Sequence, residues 1–341
     1  MHNHLTNRDR TLRWFRPAVC KTLLTYLDDL GIPIDRLLDK HRLQVLERED
    51  ADYLVPRHSF GLFMMEVIRR EGLEKLGWQF ATEQPGLRAT LGGGPTLYSA
   101  LRTAVKRARA STGLDFRLVE APDSVGFCRT LSGNIQDYDH EMGWSAMGAA
   151  VRIVRDYLGK EWVPAEVSVS PEAAGARWVS EVLPDARITT THEYWCLRIS
   201  HFDLGRGLSV TNGAGHASRA QDTGKPVSEL GLAEALGQFL RAHIRGGAPS
   251  LEESAEMVGV SARTLKRRLN DVTRTYSGTL LETRLSLSLE ILETTDLAVA
   301  DVAHEVGYSN PSNFSRAFRR VVGITPQAYR FQTRVSERGP R

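Results

Sequence analysis

The same short pattern of residues occurs twice toward the end of this 341-residue chain, and it restricts that region to one local architecture. The first copy reads Ala255-x3-Gly259-Val-Ser-x3-Leu265-x-Arg267-x-Leu269, and the second reads Ala303-x3-Gly307-Tyr-Ser-x4-Phe314-x-Arg316-x-Phe318. Internal self-similarity of this kind marks a duplicated supersecondary unit. Ala255 and Ala303 stand where two helices cross closely and only a small side chain fits. Gly259 and Gly307 fall at the end of the first helix, where a positive φ costs glycine nothing. Ser261 is placed to cap the next helix; in the second copy Ser309 or Asn310 does so, ahead of Pro311 at the first helical position. Leu265 and Leu269 are four apart and share an inward face, as do Phe314 and Phe318. Ser250 with Glu253 adds a capping-box signature ahead of the first copy. The spacing predicts two helix-turn-helix units, at 250–270 and 299–321.

Charge divides the helices by task. The first helices carry Glu252, Glu253 and Glu256, and Asp301 and Glu305; the second carry Arg263, Lys266, Arg267 and Arg268, and Arg316, Arg319 and Arg320. A single basic run is usually a solvated face. Two such runs at matched places in a duplicated motif instead fit recognition helices in DNA major grooves. Between the copies, Tyr276–Thr294 has Leu281, Leu285, Leu289 and Leu292 on one side and Leu280, Leu287 and Ile291 on another. A helix apolar on two sides is packed on two sides, here by the two units. At about 1.5 Å per residue it spans roughly 27 Å, close to the ~34 Å between successive major grooves on one DNA face.

The remaining sequence predicts a second domain, because single cores usually stop growing near ~250–300 residues. Helical stretches are expected at Ala18–Leu30, Ser59–Arg70, Thr96–Arg109 and His140–Leu158, and strands at Phe116–Val119, Val125–Thr130, Glu166–Ser170 and Cys196–Ile199. Met1–Arg13 reads as a frayed tail. Gly205–Lys225, rich in Gly, Ser, Thr and Asn, has the composition of a flexible linker, and a helix near Val227–Ile244 follows it. The predicted fold class is an α+β N-terminal sensor domain (14–204), a linker (205–226), and an all-α C-terminal domain (227–335) with two helix-turn-helix motifs joined by a linker helix.

The net charge of +3 permits nucleic acid without arguing for it. No run of about 18 apolar residues exists, so no membrane span is expected and the cytoplasm is the default. Cys20, Cys128 and Cys196 are odd in number and far apart, which predicts buried thiols and no disulfide framework. Enzyme readings fare poorly. Gly92-Gly93-Gly94 lacks the Lys-Ser/Thr that a P-loop requires and reads as a turn. Asp137, Asp139, His140 and Glu141 lack a second ligand cluster and read as a solvated helix start. An alkylation-repair methyltransferase would need four zinc-binding cysteines and a reactive Cys followed by His, and neither is present. No catalytic residue, metal or cofactor is expected.

The stretch Val302-Ala-x-x-Val-Gly-Tyr-Ser-x-x-Ser-x-Phe-Ser-Arg-Ala-Phe-Arg-Arg-x-x-Gly323-x-Thr-Pro326-x-x-Tyr-Arg330 resembles the signature of the AraC/XylS family of bacterial regulators almost throughout. The likeness covers about Ser250 to Arg330. In the first unit Thr273 stands where that family often has Gly, and Ser288 where it often has Ala. The resemblance implies base contacts from Arg263, Lys266 and Arg267 in one groove and from Ser312, Asn313 and Arg316 in the next. It implies phosphate contacts from Ser261, Arg268, Ser309, Arg319 and Arg320. Gly31-Ile-Pro-Ile-Asp-Arg-Leu-Leu38, Val55-Pro56 and Gly94-Pro-Thr-Leu-x-x-Ala-Leu101 resemble the subgroup with an arabinose-binding-type N-terminal ligand domain, from whose usual pattern Leu183–Arg198 departs. The implied partners are double-stranded promoter DNA, RNA polymerase and a small-molecule effector whose identity and pocket residues the sequence leaves unknown. The implied action is ligand-responsive activation. The alternative is a repressor, or a ligand-independent regulator whose N-terminal domain only forms a homodimer through Leu23, Leu24 and Leu27 or the Trp144–Val151 helix.

Overall fold

The computed structural model describes residues 12–49, 53–83, 93–131, 136–207 and 225–337. The chain divides into two compact units, one from residues 1–46 with 57–230 and one from 47–56 with 231–341. Most of the predicted linker (205–226), residues 1–11 of the predicted tail and Gly92 lie outside the described residues.

The first unit combines helices with one mixed sheet. Its helices are α1 (Pro17–Asp29), α2 (Asp35–Lys40), α3 (Arg57–Glu71), α4 (Leu76–Glu83), α5 (Leu97–Thr112), α6 (Asp137–Leu158), α7 (Pro171–Ala174), α8 (Val179–Val182) and α9 (His201–Leu204). Its strands are β1 (Phe116–Glu120), β2 (Ser124–Thr130), β3 (Glu166–Val169), β4 (Arg187–Thr190) and β5 (Tyr194–Ser200), hydrogen-bonded in the order β1-β2-β5-β3-β4. Only β3 and β4 run parallel; the other pairings are antiparallel. Local signals explain several boundaries. Pro17 opens α1, and Gly31 closes it at φ 71°, a left-handed turn that glycine adopts freely. Thr96 and Ser99 cap each other's backbone at the start of α5, which ends on Gly113 in the left-handed region.

Helix α6 lies on one face of the sheet and supplies much of the core. Trp144 is 2% exposed and packs against Trp178 and Trp195, with ring centroids 4.8 and 5.0 Å away. Two helices meet at small residues: a Cβ at Gly77 of α4 would stand 2.4 Å from the Glu141 carbonyl oxygen of α6. Sequence periodicity did not reveal α4 or β4. Leu23 and Leu27 of α1 and Trp144 of α6, considered above as a dimer surface, are buried in this unit. Leu12, assigned to the frayed tail, is buried as well.

Two sequence expectations are corrected. Cys128 and Cys196 form a disulfide, and only Cys20 remains a thiol, which burial pushes to a higher pKa. The antiparallel register of β2 and β5 places the two cysteines directly opposite each other, a proximity that their sequence separation of 68 conceals. The helix start at Asp137–Glu141 is not simply a solvated cluster. Asp139 is 3% exposed; it accepts the Gln136 backbone N–H at 2.9 Å and pairs with Arg57. Among the described residues no helix is long and apolar enough to cross a membrane, and no group of acidic, His or Cys side chains could hold a metal.

The second unit is helical: α10 (Leu232–His243), α11 (Leu251–Met257), α12 (Ala262–Asp271), α13 (Tyr276–Thr294), α14 (Val299–Glu305), α15 (Pro311–Val322) and α16 (Pro326–Glu337). The second half of α13 contributes Leu287, Ile291 and Leu292 to a core shared with Val302, Ala303, Val306, Phe314 and Phe318. Helix α13 also packs against α10 and α16.

Candidate nucleic-acid interface

The turns that join α11 to α12 and α14 to α15 have nearly identical backbones. At the end of α11, Gly259 takes φ 74°, its N–H bonds Glu256 O at 3.0 Å, and the next N–H, of Val260, bonds Ala255 O at 2.9 Å. At the end of α14, Gly307 takes φ 76°, and the bonds from Gly307 and Tyr308 to His304 O and Ala303 O are both 2.9 Å. This is the Schellman arrangement, which satisfies the last carbonyls of a helix through one left-handed residue. The alanines accept the longer-range bond and are themselves 1% and 0% exposed, as a close helix crossing requires.

Caps then fix where the following helices begin. Ser250 and Glu253 bond each other's backbone N–H at 3.1 and 2.8 Å at the start of α11. Ser261 accepts from Thr264 N–H at 3.2 Å ahead of α12, and Asn310 accepts from Ser312 N–H at 2.8 Å ahead of α15. The cap of the second copy is therefore Asn310 rather than Ser309, and Pro311 occupies the first turn. Leu265 and Leu269 anchor α12, and Phe314 and Phe318 anchor α15; all four are at most 2% exposed. With one face of each helix so fixed, the opposite face is presented to solvent.

That exposed face carries most of the candidate contacts. Arg263, Lys266 and Arg267 of α12 are exposed, as are Ser312, Asn313, Arg316, Arg319 and Arg320 of α15, and the flanking Ser261 and Ser309. Arg268 departs from its neighbours: it is half-buried, with its Nε enclosed. Asp271 adds one acid at the last residue of α12. On α15, Arg316 Nη2 donates to Asn313 Oδ1 at 2.5 Å, so two of the candidate base-reading side chains hold each other.

Three tyrosines and an arginine brace these helices, and none was singled out from the sequence. Tyr276 opens α13; its hydroxyl donates to Pro249 O and lies 2.7 Å from Ser254 Oγ on α11. Arg284 of α13 stacks over the Tyr308 ring at 4.9 Å and donates to Gly307 O at 3.2 Å. Tyr329 of α16 packs its ring 5.8 Å from that of Phe318 and bonds Glu293 of α13. Their only sequence signal is a polar-tipped aromatic beside an apolar helix stripe, which does not specify a partner.

Comparison with known proteins bears on this region. A helix-turn-helix domain model matches residues 254–332. The ornithine utilization regulator of Pseudomonas aeruginosa is 31% identical over 163 residues, which are 47% of this chain and 48% of the relative. The transcriptional activator NphR of a Rhodococcus species is 38% identical over 81 residues, 24% of either chain. The chain thus spans about half or less of the length of these curated relatives. The crystal structure of the transcriptional regulator CdpR from Pseudomonas aeruginosa aligns with 91% of this chain and 96% of its own, at 21% identity and a TM-score of 0.34. Residues 254–332 are thus a helix-turn-helix domain similar to that of AraC-type transcriptional regulators.

Proposed function

We propose that the chain is a sequence-specific DNA-binding regulator in which α11–α12 and α14–α15 are two helix-turn-helix units joined by α13. In this reading α12 and α15 are recognition helices that enter successive major grooves. The observation that carries it is the matched pair of exposed basic faces, each held outward by a buried apolar pair and preceded by the same glycine turn. Arg263, Lys266 and Arg267, with Ser312, Asn313 and Arg316, read base edges, where arginine pairs with guanine and asparagine with adenine. An asparagine that binds adenine uses both its oxygen and its nitrogen, so the Arg316–Asn313 bond opens on DNA and frees both groups for bases. Arg319 and Arg320, with Ser261 and Ser309, hold phosphates, which adds affinity and salt dependence without sequence information. Half-buried Arg268 contributes to the phosphate set by way of its guanidinium nitrogens beyond Nε.

The remaining assignments belong to the same proposal. Residues 14–204 sense a small-molecule effector and dimerise, 205–226 link, and 227–335 bind DNA. The effector favours one arrangement of the protein and so shifts its population at the promoter, where RNA polymerase is recruited. Arg316→Ala and Arg320→Ala test the interface by measuring affinity across a panel of operator variants. Arg316→Ala relaxes the preference at one base position at a cost of about 1–3 kcal/mol, whereas Arg320→Ala weakens all sequences alike. An unchanged sequence preference in Arg316→Ala refutes its role as a base reader.

A further inference from the structure

Between α6 and the sheet of the first unit lies an arginine that its surroundings leave partly unanswered. Arg129 of β2 is 3% exposed. Its Nη1 reaches the Asp139 carbonyl at 3.4 Å, its Nη2 stands 3.6 Å from the Asp139 carboxylate, and its Nε is buried with no partner among the described residues. Asp139 is already shared, since Oδ1 accepts from Arg57 and Oδ2 accepts from the Gln136 N–H. Arg57 is itself 2% exposed, so one carboxylate serves two buried guanidiniums. Burial, together with the positive charge of Arg13, holds the Arg129 guanidinium down at about 10, and Arg57 is lowered by burial and by both neighbouring arginines. Buried charges are normally paired and their donors bonded.

A second orphan donor stands beside the first. Trp195 of β5 is directly opposite Arg129 in the β2–β5 register, so the two side chains project from the same face of the sheet. The Trp195 ring lies against Gly143, where a Cβ would come within 2.8 Å of it, and its Nε1–H is buried without an acceptor among the described residues. Gly143 is one helical turn beyond Asp139, so both unpaired donors meet the same turn of α6. Cross-strand partners have Cβ atoms about 4.5–5.5 Å apart, so the two side chains are direct neighbours on that face.

We propose that Arg129 and Trp195, with Arg57 behind them, form a binding site for a small oxyanion, a carboxylate or a phosphate group. The anion accepts from Arg129 Nε and Trp195 Nε1 and supplies the negative charge that Asp139 alone does not. The site gives the effector of the proposed regulator a chemical class; only its consequence at DNA rests on that regulatory reading.

Full-length protein at constant ionic strength in sodium chloride is titrated, without DNA, with sodium acetate, disodium succinate or sodium phosphate. Thermal unfolding and tryptophan emission are followed together. The expected result is a saturable rise in unfolding temperature with a matching emission change. Saturation by acetate or succinate alone assigns an organic carboxylate, and saturation by phosphate alone assigns an inorganic oxyanion. Trp195→Phe keeps an aromatic ring while losing the donor, and weakens the affinity roughly tenfold, the usual scale for a hydrogen bond to a charged group. Arg129→Met removes the charge at similar bulk and abolishes the response; if that variant does not fold, Trp195→Phe decides. No saturable response in the wild type, or an unchanged affinity in Trp195→Phe, overturns the site. Repeating the titration with operator DNA separates the two readings, because a filled site that leaves DNA affinity unchanged contradicts the effector role and not the binding.

Discussion

Replacing Thr273 with glycine should stabilise the protein. Thr273 follows α12 at φ 58°, in the left-handed region, where its N–H bonds Asn270 O and the next N–H, of Arg274, bonds Leu269 O, both at 2.9 Å. It therefore occupies the position that Gly259 and Gly307 fill in the two equivalent turns. Any residue with a Cβ fits poorly there, since the Cβ crowds the following carbonyl at a cost of about 1–2 kcal/mol. Nothing offsets that cost: Thr273 is exposed and its hydroxyl has no hydrogen-bond partner among the described residues. Glycine removes the strain but loses roughly 0.5–1 kcal/mol through the greater freedom of its unfolded chain. The net gain is about 0.5–1 kcal/mol. For a unit of this size that raises its transition by roughly 2–8 °C, which calorimetry of the full-length protein can read. Thr273→Ala keeps the Cβ and stays near the wild type. If Thr273→Gly is no more stable than Thr273→Ala, the Cβ is not strained and the reasoning fails.

Gly307→Ala should act in the opposite direction. It adds a Cβ at φ 76° that would stand 3.0 Å from the Ile244 carbonyl oxygen, so calorimetry should show a loss of about 1–2 kcal/mol or more; a neutral outcome would contradict the tight turn. Glu141 gives a pH signature. Burial, only partly offset by the Gly77 backbone, raises its pKa from 4.5 to about 7. A carboxyl with a raised folded-state pKa favours folding while protonated, so its effect is neutral below the unfolded value and stability falls as pH rises from about 4.5 to 7. The linkage amounts to roughly 3 kcal/mol at most, and Glu141→Gln should flatten that part of the stability profile in denaturant titrations between pH 4.5 and 8. A slope that survives in Glu141→Gln belongs to other groups.

The C-terminal unit was the legible part of the sequence because each of its signals is local. A glycine four residues after a small alanine fixes a helix end, a serine or an asparagine fixes the next start, and apolar residues four apart fix the inward face. The helix expected at Tyr276–Thr294 has those bounds in the structure. What sequence missed depends on contacts distant along the chain. The Cys128–Cys196 bond and the Arg129–Trp195 juxtaposition both follow from the pairing of β2 with β5, which nothing in either strand announces. The short helix α4 lacks a long periodic stretch, and its packing against α6 at Gly77 and Gly148 becomes visible only once both helices are placed. Asp139 was read as solvated because its partner Arg57 lies 82 residues away. On α12 and α15, the exposed cations were foreseeable from helical phase, whereas the half-burial of Arg268 and the Arg316–Asn313 bond were not.

The central claim is that two basic helices read two adjacent segments of DNA. Selection of genomic fragments by the purified full-length protein at near-physiological salt tests it most directly. The expected result is a recurrent motif of two short blocks about one helical turn apart, in which one base position of one block loses its preference when Arg316 is replaced by alanine. Binding that falls steeply with salt and returns no motif would mean that these helices grip phosphates without reading bases, and would contradict it.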